Sequence, residues 1–124
     1  MGKNGRVISF EPEPKNFALL EKNIITNKFE NVEIYQKAVG SKNSKTKLLL
    51  SDSMGQHRVS NTSEGIEVPL ADAVDHKLTN SLAIDIECIR LDDYVSHADF
   101  VKLDAEGSEI EILKGMPNLL QQKI

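Results

Sequence analysis

Three acidic side chains stand where the chain is about to change direction. Glu11 follows the β-rich run Arg6-Val7-Ile8-Ser9-Phe10 and precedes Pro12; Asp104 and Glu106 flank Ala105 after Asp99-Phe100-Val101-Lys102-Leu103. A carboxylate at a strand end can accept two hydrogen bonds from ribose hydroxyls. It can also orient an acceptor hydroxyl, take its proton, or stabilise a positive charge. Asp-Ala-Glu spacing further offers hard oxygens to a divalent cation. The plainer reading is that acids before and within a first helical turn complement the helix dipole, and Glu109 fits that best. His57, within Gly55-Gln56-His57-Arg58, adds a candidate general base near neutral pH with Arg58 as an anion clamp. Lys37 and Ala38 end another β-rich run, and Ala38 is also a natural packing residue. His76 and His97 have no partner motif and read as surface.

The elements that must position these groups follow from periodicity. Residues 6–10 form a short strand, stopped by Glu11-Pro12-Glu13-Pro14 because two close prolines cannot continue a central ladder. Pro14 suits the first position of a helix, whose N–H would be unpaired there anyway. Phe17, Leu20 and Ile24, widened by Ala18 and Ile25, recur at helical spacing, and Asn27 is placed to cap the end. Val32-Glu33-Ile34-Tyr35-Gln36 alternates as a strand and runs into Lys37-Ala38-Val39-Gly40. Strand, helix and strand so close together predict a parallel βαβ unit.

Beyond it, residues 41–63 are polar around one strand-like core at Lys47-Leu48-Leu49-Leu50. Two alternating runs, Ile66/Val68/Leu70 and Leu82/Ile84/Ile86/Cys88, predict half-buried antiparallel strands, with Pro69 pushing the first to an edge. Ala71 to Asn80 reads as a loop and Leu91 to Val95 as a helical turn. Asp99 to Leu103 predicts a strand delivering Asp104 and Glu106 at its carboxyl end. A helix then starts at Ser108, where Ser108 and Glu111 match a capping box, Ile110 and Leu113 supply the buried stripe, and Gly115 with Pro117 ends it. Ligands of open α/β sheets bind outside the carboxyl ends of parallel strands, where the acidic tips would stand.

Composition bounds the function. A length of 124 residues, 40% hydrophobic and 27% charged, describes one ordinary globular domain. A net charge of −4 without a basic cluster disfavours a nucleic-acid partner. The longest aliphatic runs, Leu48-Leu49-Leu50 and Ala18-Leu19-Leu20, are far short of a membrane span. The residues after Met1 do not read as a secretory signal, so the cytoplasm is the expected location. The single cysteine, Cys88, rules out an internal disulfide and reads as a buried thiol rather than a nucleophile.

Phe10-Glu11-Pro12-Glu13-Pro14, then Phe17, Leu20, Asn23 and Asn27, then Ala38-Val39-Gly40, resembles the FkbM methyltransferase pattern. So does Leu91-Asp92-Asp93 followed by Asp99-Phe100-Val101-Lys102-Leu103-Asp104-Ala105-Glu106-Gly107-Ser108-Glu109 and Leu113-Lys114-Gly115. The phrase from Lys102 to Glu109 is the most specific, and the resemblance covers residues 5 to about 120, with the middle the loosest match. It implies S-adenosylmethionine (SAM) as methyl donor. The implied acceptor is a hydroxyl on a sugar, lipid-linked glycan or secondary metabolite. Glu11 and Pro12, with Lys37 and Ala38, then fall on the cofactor side, and Asp104, Glu106 and His57 on the catalytic side, with no metal.

The expected architecture is α/β: a partial, Rossmann-like class I SAM methyltransferase fold with a mixed sheet and an antiparallel insertion. Residues 1–124 form one partial domain. Its parts are a βαβ cofactor-side unit over 5–40, an insertion over 41–90, and a strand-helix unit with the acidic tip over 91–124. Family members carry a first strand and a glycine-rich turn before the position of Gly5 and further strands after the last helix here. The expectation is therefore a fragment lacking its central strand, inactive alone and open to self-association through its sheet edges. Two other readings stand beside it: a metal-dependent nucleotide-sugar transferase using Asp104 and Glu106 as ligands, and a non-catalytic fragment.

Overall fold

The computed structural model describes residues 2, 4–50, 58–60 and 82–122. Strand β1 (Val7–Phe10) leads into helix α1 (Pro14–Thr26), then β2 (Val32–Tyr35), β3 (Ala38–Val39), β4 (Ser44–Leu50), β5 (Arg58–Ser60) and β6 (Leu82–Ile89). A 3₁₀ turn (Leu91–Asp93) and two short helices, α2 (Glu109–Lys114) and α3 (Pro117–Leu120), follow.

The βαβ expectation holds in its pairing. β1 and β2 are parallel, with Val7 opposite Val32 and Phe10 opposite Tyr35. Helix α1 starts where Pro14 predicted, and Glu13 caps it by accepting a 2.6 Å hydrogen bond from the Asn16 amide. It ends in paired carbonyl bonds: the Lys28 amide donates to the Ile25 carbonyl and the Phe29 amide to the Ile24 carbonyl, with Lys28 left-handed at φ 55°. Asn27 caps as expected, its side-chain amide donating to the Asn23 carbonyl. The helix stripe is narrower than expected. Phe17, Leu20 and Ile24 are half-buried, but Ala18 is exposed and Ile25 is 70% exposed. Among the described residues the sheet holding β1 has only two strands, too narrow to cover a wider helix face.

β3 leaves this pair and joins a second sheet of order β3-β6-β4-β5. β4 and β6 are antiparallel in a seven-pair ladder from Ser44–Cys88 to Leu50–Leu82, while β3 and β6 are parallel. The alternation of β6 is as expected: Ile86 and Cys88 are buried, whereas Ala83, Asp85 and Glu87 are exposed. Ala38, Leu48, Ile86 and Cys88 form one core cluster. The Ile66–Leu70 run and the Ala71–Asn80 loop lie outside the described residues.

Two expectations for the last unit are corrected. Asp99–Leu103 is not a strand but irregular chain. A strand exists only as one side of a ladder, and no described segment pairs with this one. Phe100 is accordingly 80% exposed. The stripe of α2 is also different: Ile110 and Leu113 face solvent, and Ile112 is buried with Leu91, Met116 and Leu119 in a second core cluster. Gly115 decides this. A Cβ there would stand 1.9 Å from the Gly40 carbonyl oxygen, so this glycine lets the end of α2 touch the backbone after β3. That contact turns the face carrying Ser108, Glu111, Ile112 and Gly115 inward and Ile110 outward.

Candidate functional site

Glu11 ends β1. Its amide donates to the Tyr35 carbonyl at 3.1 Å, extending the parallel ladder by one bond. Its carboxylate accepts from the Glu13 amide at 2.9 Å, closing a turn over Pro12. That occupies Oε1; Oε2 has no partner among the described residues. Glu13, only 3% exposed, is the buried acid of this corner and is used as a helix cap.

Lys37 lies two residues beyond Tyr35, between β2 and β3. Its ammonium is hydrogen-bonded to Glu87 of β6, and this bond, with further help from nearby Tyr94, raises its pKa against the effect of burial. Lys37 is therefore a held cation. Ala38 is 4% exposed within the first core cluster, so its side chain packs against the sheet rather than facing a ligand. Beside Glu11 the rings of Phe10 and Tyr35 stack at 5.3 Å, and Tyr94 stands edge-on to both at 5.8 and 5.2 Å. Parallel pairing of the strands carrying Phe10 and Tyr35 was readable; the register that makes them partners was not. Tyr94, 59 residues beyond Tyr35, carried no sequence signal for this contact.

Asp104 and Glu106 lie on either side of Ala105, which packs with Leu103 and Phe10 on the second core cluster. The Glu11 corner and the acidic turn thus rest on one hydrophobic support. Asp104 is exposed, with Lys102 Nζ 3.5 Å away, a surface pair that holds it weakly. Glu106 is left-handed at φ 44°, followed by Gly107 at φ 102°, and the Ser108 amide closes the turn onto the Ala105 carbonyl. A glutamate held there costs about 1–2 kcal/mol, an expense often met at functional turns. His57 lies outside the described residues, as does His76. His97 is exposed beside Asp99.

The predicted capping box is replaced by another device. Ser108 makes no side-chain cap bond, and Glu111 is instead paired with Lys114 at 2.6 Å. Glu109 instead ties down the turn before the helix: its carboxylate accepts from the Ala105 amide at 3.2 Å and the Gly107 amide at 2.8 Å. Ser108 sits at φ −97°, ψ 3°, outside the extended geometry in which a cap side chain reaches forward. Hydrogen bonds from its own amide first, then from Gly107 and Ala105, hold the Glu109 carboxyl below the usual glutamate range. A depressed carboxyl stabilises the turn above its unfolded pKa and loses that contribution as pH falls through the folded one. The Ala105 and Gly107 amide resonances are therefore expected to titrate together, with one midpoint below that of an unperturbed glutamate. Independent midpoints would mean that Glu109 does not organise the turn.

Among the described residues no three His, Cys, Asp or Glu side chains gather as a metal site. No described helix is long and apolar enough to cross a membrane. Cys88 is a buried free thiol whose pKa is raised by burial. A family model described as the methyltransferase FkbM domain matches residues 1–124. No curated protein and no solved structure matches the chain.

Proposed function

The chain belongs to the FkbM methyltransferase family, and from that premise we propose that it binds SAM at the β1–β2 corner and methylates a hydroxyl of a small-molecule or glycan acceptor. Family membership implies the class I SAM methyltransferase fold, and the mixed parallel and antiparallel α/β structure is compatible with it. The observation that carries the cofactor reading is Glu11. It ends a parallel strand, and one carboxylate oxygen is fixed by the Glu13 amide while the other has no described partner. Such a carboxylate fits a ribose diol, which needs a fixed acceptor with a free lone pair. Lys37, held by Glu87, and the ring cluster beside it would bound the adenine side. SAM, when bound, supplies a sulfonium methyl for transfer to an oxygen nucleophile.

On the acceptor side, Asp104 is the candidate to take the hydroxyl proton, with Glu106 on the same turn and His57 as a further candidate. Much of the acceleration would come from alignment of acceptor and methyl group, with the base needed for a neutral hydroxyl. The nucleotide-sugar transferase reading finds no support in the family match.

Glu11→Ala is expected to weaken SAM binding by about 10- to 150-fold, from the loss of roughly 1.5–3 kcal/mol of charge-assisted hydrogen bonding. The chemical step should change less than the affinity. Calorimetry giving the same SAM affinity for both proteins would remove Glu11 from the site.

We also propose that residues 1–124 self-associate through open sheet edges. β1 has one described neighbour, residues 99–105 have none, and Phe100, Ile110, Leu113 and Leu120 are exposed alongside. Open edges with apolar flanks recruit strands from other chains. Sedimentation of the 124-residue chain should give concentration-dependent mass. A single monomeric mass at every concentration would overturn this reading.

A further inference from the structure

Between the chain leaving β3 and the inward face of α2 lies a cavity of about 300 Å³. It is lined by Ser41, Lys42, Ser44, Lys45, Ser108 and Glu111 among others. This volume is at the small end of ligand sites. The chemistry of the lining is specific. Lys42 and Lys45 make no ion pair among the described residues, Lys45 acting on Asp85 only at longer range. Glu111, the carboxylate of the cavity, is already neutralised by Lys114 at 2.6 Å and hydrogen-bonded by Ser41. Two lysines without an ion pair among the described residues therefore border this one cavity in a chain whose net charge is −4. The Ser108 hydroxyl makes no cap bond and has no partner among the described residues. The neighbouring cavity beside Phe100 and Leu113 is larger, about 400 Å³, and has mainly apolar walls.

We propose that the cavity between β3 and α2 binds a small hydroxylated anion of the sugar-phosphate class. The anionic end would pair with Lys42 and Lys45. Ligand hydroxyls would donate to Glu111, whose carboxylate has acceptor capacity left after Lys114, and bond with Ser108 and Ser44. The contacts divide by type: charge on the exposed rim, hydroxyl recognition on the α2 face. Neither inorganic phosphate nor a neutral sugar can use both. The site needs no methyl donor and is independent of the proposed methyl transfer.

Equilibrium dialysis of the 124-residue chain against glucose 6-phosphate, glucose and inorganic phosphate separately tests this, since dialysis reads binding whatever the association state. Glucose 6-phosphate is expected to bind with Kd on the order of 0.1–1 mM, at least about tenfold tighter than either part alone. Lys42→Ala combined with Lys45→Ala should weaken it by about tenfold or more. Ser108→Ala should weaken glucose 6-phosphate several-fold and leave inorganic phosphate unchanged. Lys22→Ala, on the exposed side of α1, should change nothing. The proposal is overturned by no retention at about 10 mM ligand, by equal binding of inorganic phosphate, or by an equal loss in Lys22→Ala. All these side chains are partly or fully exposed, so circular dichroism matching the parent should accompany each variant.

Discussion

Asp104→Asn is expected to lower methyl transfer on the order of 10²–10⁴-fold in active enzyme, with the fold unchanged. The carboxamide is nearly isosteric, and the Asp104 side chain makes no buried contact that the change would disturb: it is 76% exposed with Lys102 as its ion-pair partner. On the proposed reading, what the substitution removes is the ability to take a proton from the acceptor hydroxyl. Position favours this role over the dipole role. Asp104 precedes the left-handed Glu106-Gly107 turn, and the adjoining Leu103 and Ala105 are anchored on the same core cluster as Phe10. The dipole of the six-residue α2 is already met by Glu109, whose carboxylate holds the Ala105 and Gly107 amides. Full activity of Asp104→Asn at saturating acceptor would exclude proton transfer by this residue and move the role to Glu106 or His57.

Asp92→Ala should destabilise the protein by roughly 2–4 kcal/mol in urea-induced unfolding, the largest loss expected from a residue outside the site. The Asp92 side chain is only 2% exposed, although it belongs to a short 3₁₀ turn. It accepts from the Asn118 amide at 2.8 Å and the Leu119 amide at 3.1 Å, the first-turn donors of α3, with Arg90 at 3.8 Å. One carboxylate thus caps a helix 26 residues away and seals the edge of the cluster containing Leu91 and Leu119. Alanine would leave both amides without their acceptor and Arg90 without its counter-charge. Asp92→Asn, which keeps one acceptor oxygen, should recover part of the loss. A change below about 0.5 kcal/mol in the alanine variant would show that water replaces the carboxylate at no cost.

Local signals carried a good part of this protein. The β1–α1–β2 unit was readable because its signals reinforce each other within short range: a β-rich run, Pro14 at a helix start, helical spacing of Phe17, Leu20 and Ile24, and Asn27 at the end. The alternation of β6 was readable for the same reason. The family phrase around Lys102 to Glu109 pointed to methyl transfer, and the match to the FkbM domain over residues 1–124 agrees. Glu11, Asp104 and Glu106 were legible as chemistry-bearing acids because each sits at a visible boundary. How closely Glu11 approaches the other two was not legible, because that depends on packing of distant segments.

The remaining decisions were tertiary. Asp99–Leu103 has strand composition, yet a strand requires a partner, and composition cannot supply one. The stripe on α2 could be drawn through Ile110 and Leu113 with equal periodicity. The approach of Gly115 to the Gly40 backbone selected Ile112 instead. Ser108 and Glu111 had the right spacing for a capping box, but the backbone angles of Ser108 left it unformed and Glu109 ties down the preceding turn. Sequence alone determined which residues could cap, pack or react, since those are properties of side-chain type and short spacing. Only the tertiary structure decided which of them do, because Asp92 over α3, Tyr94 against Tyr35 and Lys37 on Glu87 are contacts between segments tens of residues apart.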